Sequence, residues 1–230
     1  MIRRNHYQAI LFDCDGVLVD SEPITLAVLR DCLVDWGWPI SYEACIEHFL
    51  GRPLENELDL IKEHSGRRPD ADWIAEFRRQ RDMALSAKVK ATPGMHQVLH
   101  TLFPHYEGKI ACASGADRQK IELQLSSTDL MKWFDGRIFS GHEMPRTKPA
   151  PDVYLAAAQG LGVAAEACLV VEDSPNGVQA GVAAGATVLG FMPAAHRKGL
   201  CESLLEAGAI GVFRDMNHLS RFAISLFKGD

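Results

Sequence analysis

The sequence has no C-x-x-C cysteine pair, no excess of basic charge and no long apolar run, and each absence excludes a class of protein. Its six cysteines are scattered, which argues against a zinc site and favours a reducing compartment. The formal net charge of −6 disfavours nucleic acid or an anionic membrane as the main partner. No stretch approaches the length of a membrane span. We expect a cytoplasmic monomer that binds neither nucleic acid nor membranes.

Short apolar runs alternate with helical patterns along most of the 230 residues. Strands are predicted at 10–14, 109–113, 137–140, 169–172, 187–192 and 210–213. Helices are predicted between the later ones, at 94–103, 118–125, 152–161, 178–184 and 200–207. Strand and helix in alternation imply βαβ units and therefore an α/β fold with a mostly parallel sheet.

The alternation is interrupted after the first strand by a stretch with only helical patterns, at 24–36, 42–49, 54–63 and 72–86. Gly- and Pro-containing breakers separate these pieces, and Thr92-Pro93-Gly94 marks the return to the alternating pattern. We therefore expect a core domain formed by 1–20 and 88–230, with a small helical cap domain, 21–87, inserted into it. A cap beside a ligand crevice could close over it and exclude water.

Two acids one residue apart, Asp13 and Asp15, follow the first apolar run. They would share a direction if the extended backbone continued through them. Carboxyl ends of central strands open into the ligand crevice of an α/β sheet, where paired carboxylates need a cation or a shared proton. The pair indicates a divalent metal, a nucleophile with a neighbouring acid/base, or both. The alternative is an ordinary strand end whose acids reach water.

Three further strand or helix ends carry polar residues. Ser114-Gly115 precedes a helix and suits a phosphate oxygen, although a plain helix cap has the same pattern. Lys148 stands before two prolines that hold the backbone extended, and it is either a counter-charge for phosphate or carboxylates or a solvated loop lysine. Glu172-Asp173 ends a second apolar run, so two strands deliver carboxylates to one sheet edge. Hard oxygen ligands in this number suit Mg²⁺.

Together these segments carry a family resemblance. The sequence resembles the haloacid dehalogenase-like hydrolases in Asp13-Cys14-Asp15-Gly16-Val17-Leu18-Val19-Asp20-Ser21, Ser114, Lys148-Pro149-Ala150-Pro151 and Glu172-Asp173-Ser174. It is most similar to the branch with a helical cap after the first motif, which contains sugar-phosphate phosphatases and β-phosphoglucomutases. The resemblance implies a Rossmann-like parallel sheet core with the cap inserted. Asp15 with Glu172-Asp173 favours phosphate chemistry over carbon–halogen cleavage.

The resemblance also implies a mechanism and a set of roles. Asp13 is expected to attack phosphorus and form a phosphoaspartate, and Asp15 to act as general acid and then general base. Mg²⁺ is expected on the Asp13 carboxylate, the Asp15 carbonyl oxygen and Asp173, with Glu172 in or near its shell. The phosphoryl oxygens are expected to be held by Ser114, Gly115 and Lys148.

The substrate is expected to be a small phosphomonoester, a sugar or sugar-acid phosphate such as a 6-phosphogluconate-like molecule. Substrate specificity is assigned to Arg52, Glu22 and Arg146. A phosphosugar mutase and a non-catalytic phosphate-binding protein are the alternatives. The mutases of this branch have a His where Thr25 stands and an Arg where Leu54 stands, and both departures favour the phosphatase.

Overall fold

The computed structural model describes residues 7–52, 54–193 and 199–227. The strands are β1 (Ala9–Phe12), β2 (Val19–Asp20), β3 (Lys90–Ala91), β4 (Ile110–Ser114), β5 (Ile138–Ser140), β6 (Cys168–Glu172), β7 (Thr187–Phe191) and β8 (Val212–Phe213). The α-helices are α1 (Glu22–Asp35), α2 (Tyr42–Phe49), α3 (Leu58–Ser65), α4 (Ala71–Lys88), α5 (Met95–His105), α6 (Arg118–Ser127), α7 (Asp152–Gly160), α8 (Pro175–Ala183), α9 (Leu200–Glu206) and α10 (Asn217–Phe227).

The chain divides into two compact units, which are described separately. The α/β unit comprises Met1–Val19 and Ala91–Asp230, and the helical unit comprises Asp20–Lys90. The boundaries predicted from the sequence are 20/21 and 87/88. The chain passes between the units through β2 and β3, which pair as a two-stranded sheet. These two-residue strands were not predicted, because they are too short to show an alternating pattern.

The α/β unit contains a six-stranded parallel sheet in the order β5-β4-β1-β6-β7-β8. The predicted α/β fold is confirmed, and each predicted strand overlaps an observed one. All four residues of β1 are buried, as are all five of β4 and of β6. Continuous burial of this kind is typical of parallel strands covered on both faces. The central position of β1 puts its carboxyl end between those of β4 and β6.

Alternate residues of the central strands contribute to different sides of the core. Leu11, Ala113 and Val170 belong to one buried cluster with residues of α7 and α8. Phe12 points the other way and meets Phe134 edge to ring at 6.5 Å between ring centroids. On the sequence side, α10 was missed, although Leu219 and Ala223 are buried and α10 packs on α5. Apolar residues of α10 recur at helical spacing, at Leu219, Phe222, Ala223 and Leu226, so the sequence does carry a signal for this helix.

The helical unit has its own core, which includes Leu33, Cys45, Ile61 and Phe77. Its helices begin and end largely where predicted, because local capping signals are present: the Asp70 carboxylate accepts a hydrogen bond from the Trp73 amide at the start of α4. The single helix predicted over 54–63 is wrong. It is broken into a 3₁₀ turn, Leu54–Asn56, and α3, because Glu57 has a non-helical backbone (φ −107°, ψ 8°).

The six cysteines all carry free thiols, and five of them are buried. Cys112 and Cys168 lie within strands, where they pack as small core residues. Within the described ranges, none of the helices is both long enough and apolar enough to cross a membrane.

Candidate active site

Three acids meet where β1 and β6 end side by side. β1 ends at Phe12, and the amide of Asp13 donates to the Val171 carbonyl oxygen of β6 at 3.0 Å. Glu172 is the last residue of β6 and Asp173 follows it. One carboxylate oxygen from each of Asp13, Glu172 and Asp173 lies within 4.8 Å of the others, a spacing that could hold a metal ion. The predicted convergence of two strand ends is present for these three side chains.

Lys148 lies among the acids, where its ammonium makes three hydrogen bonds. Its Nζ donates to Asp13 Oδ1 at 2.7 Å, to Glu172 Oε1 at 2.6 Å and to the Ala113 carbonyl oxygen at 3.0 Å. Burial alone would lower the pKa of Lys148, but the Asp13 and Glu172 carboxylates raise this pKa well above its usual value. Lys148 is therefore a fixed positive charge at the site, and the solvated-loop alternative does not describe it.

Asp13 is held in a protein interior where its charge is costly. Burial raises the pKa of Asp13 to about 7; the Lys148 ammonium opposes this rise, and the neighbouring Glu172 and Asp15 carboxylates add to it. The ionised carboxylate is thus stabilised by one cation and opposed by desolvation and by two other acids. A further cation at the cluster would shift this balance toward the ionised form.

Glu172 is fully enclosed by hydrogen-bond donors. Its Oε1 accepts two hydrogen bonds, from Lys148 and from the Tyr154 hydroxyl at 2.7 Å, and its Oε2 accepts three, from the amides of Asp173 and Ser174 and from the Ser174 hydroxyl. Gly177 is required beside it, because a Cβ there would collide with the Glu172 carboxylate. The geometry suits an anchor for Lys148 and for the turn after β6, and a role as metal ligand stays a prediction.

The Asp15 carboxylate is held by donors of α6. Asp15 lies beyond the end of β1 and is followed by Gly16, whose backbone is left-handed at φ 74°. Its Oδ2 accepts a hydrogen bond from Lys120 Nζ at 2.8 Å, and its Oδ1 accepts one from Gln124 Nε2 at 2.8 Å. In the described residues, the metal-spaced cluster therefore does not include the Asp15 side chain.

Ser114 and Gly115 lie at the end of β4, the other neighbour of β1. Ser114 is buried, and its hydroxyl accepts a hydrogen bond from the Ala116 amide at 3.2 Å. The bond from Lys148 to the carbonyl oxygen of Ala113 ties this strand end to the acidic cluster. Gly115 continues toward α6, whose first turn is capped by the Asp117 carboxylate. The structure thus brings the segment with Ser114 and Gly115 and the segment with Lys148 to one edge of the sheet.

The three residues assigned to specificity have separate surroundings. The guanidinium of Arg146 is exposed and pairs with Asp152 at the start of α7, at 2.9 Å. Arg52 and Glu22 belong to the helical unit, where Arg52 lies 3.6 Å from Glu57 and Glu22 is in the first turn of α1. Their proposed contact with a substrate remains a prediction.

Sequence reasoning missed Tyr154, Lys120 and Gln124. No motif marks Tyr154, which stands out only because its hydroxyl reaches Glu172 and because burial raises its pKa well above the usual range. Lys120 and Gln124 do carry a signal: they are four residues apart, on one face of the helix that follows Ser114. This spacing shows that the two side chains share a helix face, but it does not show that the face contacts Asp15.

Comparison with known proteins decides the family. The family model described as a haloacid dehalogenase-like hydrolase matches residues 7–185, which include all four predicted segments. The chain belongs to the haloacid dehalogenase-like hydrolases. The family expected from the motifs is thereby confirmed, and the acids of the strand-end cluster lie within the matched residues.

Relatives of this hydrolase include two curated phosphatases and a solved structure. It is 27% identical to the 6-phosphogluconate phosphatase of Escherichia coli, over 83% of this chain and 85% of that protein. It is 28% identical to the phosphorylated carbohydrates phosphatase of Thermotoga maritima, over 90% and 94%. A hydrolase of the same family from Deinococcus radiodurans, solved with bound phosphate and sodium, is 30% identical with a TM-score of 0.79, covering 98% of this chain and 100% of that one.

Proposed function

We propose that this hydrolase is a Mg²⁺-dependent phosphatase that cleaves a small sugar or sugar-acid phosphate, such as a 6-phosphogluconate-like ester, through a phosphoaspartate. The observation that carries the proposal is the Lys148 ammonium bonded to Asp13 beside the Glu172 and Asp173 carboxylates. A carboxylate next to a fixed cation at a strand end is the arrangement that a nucleophilic aspartate needs. The names of the two curated relatives support a phosphorylated carbohydrate as substrate.

The residues present fit a magnesium ion. Asp13 and Asp173 offer carboxylate oxygens at metal spacing, and Gly16 leaves the space that the Asp173 carboxylate occupies, because a Cβ there would collide with it. The Asp15 carbonyl oxygen is the third predicted ligand, and Glu172 is in or near the shell. When bound, Mg²⁺ would lower the repulsion between the Asp13 carboxylate and an anionic phosphate.

The reaction then has two steps, phosphoryl transfer to Asp13 and hydrolysis of the phosphoaspartate. In the first, an Asp13 carboxylate oxygen bonds to phosphorus while the ester P–O bond breaks, and Asp15 gives its proton to the leaving oxygen. In the second, Asp15 takes a proton from water, the water oxygen bonds to phosphorus, and the bond from phosphorus to Asp13 breaks. Lys148, Ser114 and the Gly115 amide hold the phosphoryl oxygens during both steps.

A panel of phosphate esters tests this function. We expect the purified protein to release phosphate from p-nitrophenyl phosphate and from at least one sugar phosphate with Mg²⁺, and to lose this activity with EDTA. Asp13→Asn should abolish turnover and leave the fold intact, whereas Asp135→Asn, at an exposed position of the same unit, should change neither. Isomerised sugar phosphate with little free phosphate would instead identify a mutase, and binding of phosphate analogues without turnover would identify a non-catalytic protein.

A further inference from the structure

Both oxygens of the Asp15 carboxylate are bound by one face of α6. Lys120 Nζ and Gln124 Nε2 each donate to a different oxygen, both at 2.8 Å. Lys120 is 8% exposed and Gln124 is fully buried, so these donors are part of the interior rather than of a mobile surface. An ammonium is rarely buried to this extent without a counter-charge, and the carboxylate of Asp15 supplies it.

The two donors are themselves held in place. The Cys14 thiol donates to Gln124 Oε1 at 3.4 Å, which leaves the amide nitrogen of Gln124 to face Asp15. The Asp117 carboxylate caps α6 by accepting a hydrogen bond from the Lys120 amide at 2.8 Å, so the turn that carries Lys120 is fixed. Positions 120 and 124 are four residues apart and lie one above the other on the helix.

We propose that Lys120 and Gln124 are positioning residues that fix the direction of the Asp15 carboxylate. The proposal rests on the proposed function, in which Asp15 moves a proton in both steps. An unrestrained carboxylate samples several rotamers, and only a few aim an oxygen at the reacting group. Two donors on separate oxygens restrict that motion, so that less ordering remains to be done in the transition state.

If Lys120 and Gln124 position Asp15, the loss of activity in their variants should depend on the ester and on the kinetic parameter. The value of kcat/KM reports events up to the first irreversible step, the transfer of phosphorus to Asp13. That step needs the Asp15 proton when the leaving group is a sugar alkoxide, but not when it is weakly basic p-nitrophenolate. Hydrolysis of the phosphoaspartate needs Asp15 as a base for every ester. A residue that only holds the fold together would affect both esters and both parameters alike.

The test compares Lys120→Met with wild type on p-nitrophenyl phosphate and on the sugar phosphate that the wild type cleaves fastest in the panel. We expect kcat/KM to fall about 10- to 100-fold for the sugar phosphate and less than about threefold for p-nitrophenyl phosphate. For the aryl ester kcat should fall as well, with a burst of p-nitrophenolate because the phosphoaspartate accumulates. Gln124→Met should show the same pattern and replaces Lys120→Met if that variant does not fold.

Gln119→Met is the matched control, since Gln119 is exposed on the same turn of α6, and it should behave as wild type. Equal losses of kcat/KM on both esters, or no loss beyond that of the control, would overturn the positioning role while the phosphatase stands. A wild type with no activity on either ester would remove the proposed function and the positioning role together.

Discussion

At the scale of single residues, the site depends on keeping Asp13 ionised in a place that disfavours charge. Its carboxylate is buried next to Glu172 and is neutralised by Lys148, and its pKa is raised to about 7 by burial. In the proposed function Asp13 attacks as a carboxylate, and a further cation beside Lys148 would hold it in the ionised form near neutral pH. A cation that binds there must then compete with a proton for the Asp13 carboxylate.

Magnesium affinity should therefore depend on pH. Below about pH 7 the cation displaces a proton from Asp13, and we expect the apparent affinity to fall about tenfold for each pH unit; above it the affinity should level off. The sign follows from the raised pKa, which leaves Asp13 protonated in the metal-free protein at lower pH. Calorimetric titration from about pH 5.5 to about pH 8, in two buffers to count released protons, checks this. A constant affinity over that range would contradict it.

Gly16 is the second residue on which the site depends, because it leaves space for the Asp173 carboxylate. Gly16→Ala places a Cβ against the Asp173 carboxylate and strains a backbone at φ 74°, so we expect Mg²⁺ affinity to fall at least about tenfold. Gly162→Ala is the control, since Gly162 has φ 67° and open space around it, and it should cost only about 1 kcal/mol of stability. Thermal unfolding and Mg²⁺ titration of both variants separate strain from ligand displacement, and equal Mg²⁺ affinities would refute the collision.

At the scale of elements, one side chain at the junction of β6 and α8, that of Ser174, both caps the helix and contacts the site. The Ser174 hydroxyl accepts a hydrogen bond from the Gly177 amide at 3.1 Å, which caps α8, and it donates to Glu172 Oε2 at 3.1 Å. The strand end and the helix start are therefore joined through the carboxylate that holds Lys148. Removing the Ser174 cap should therefore disturb the Glu172 carboxylate and the Lys148 ammonium that it holds.

We expect Ser174→Ala to lower stability by about 1 kcal/mol and also to reduce kcat, because Glu172 loses a donor as α8 loses its cap. Asp70→Ala removes the cap of α4 in the helical unit and should cost a similar free energy of unfolding with kcat unchanged. Denaturant unfolding and steady-state kinetics on the same preparations make the comparison. If both variants lose activity equally, the cap at Ser174 has no special link to the site.

At the scale of the whole molecule, the side chains predicted to bind Mg²⁺ all belong to the α/β unit. Asp13 and Asp173 are at the ends of adjacent central strands, so a ligand that joins them stabilises the centre of the sheet. Binding to the folded state alone must raise its free energy of unfolding.

Mg²⁺ at about 100 times its dissociation constant should stabilise the α/β unit by about 2.7 kcal/mol. Hydrogen exchange followed by mass spectrometry should show slower exchange in β1 and β6, which unfold only with the sheet. In Asp173→Ala the effect of Mg²⁺ should be largely lost, because a carboxylate ligand is missing. Exchange in these strands that is unchanged by Mg²⁺ in the wild type would contradict a metal site at their ends.

The sequence by itself predicted the parallel sheet, which the structure confirms, and it predicted a helical insert and acids at two neighbouring strand ends, Asp13 and Asp15 on one and Glu172 and Asp173 on the other. These features are local: an apolar run of strand length, a breaker and a polar residue at the strand end are all read within a few positions. The family motifs lie at such positions, so the sequence was sufficient to find them.

Only the tertiary structure decided what each side chain touches. The Asp15 carboxylate is paired with Lys120, 105 positions away, because the fold places the donors of α6 beside it. Tyr154 contacts Glu172 through a hydrogen bond that no sequence motif indicates, and α10 packs on α5, a helix from a distant part of the chain. Strand ends are fixed by local patterns, but the direction of a side chain beyond a strand end depends on backbone dihedrals and on partners brought from distant parts of the chain.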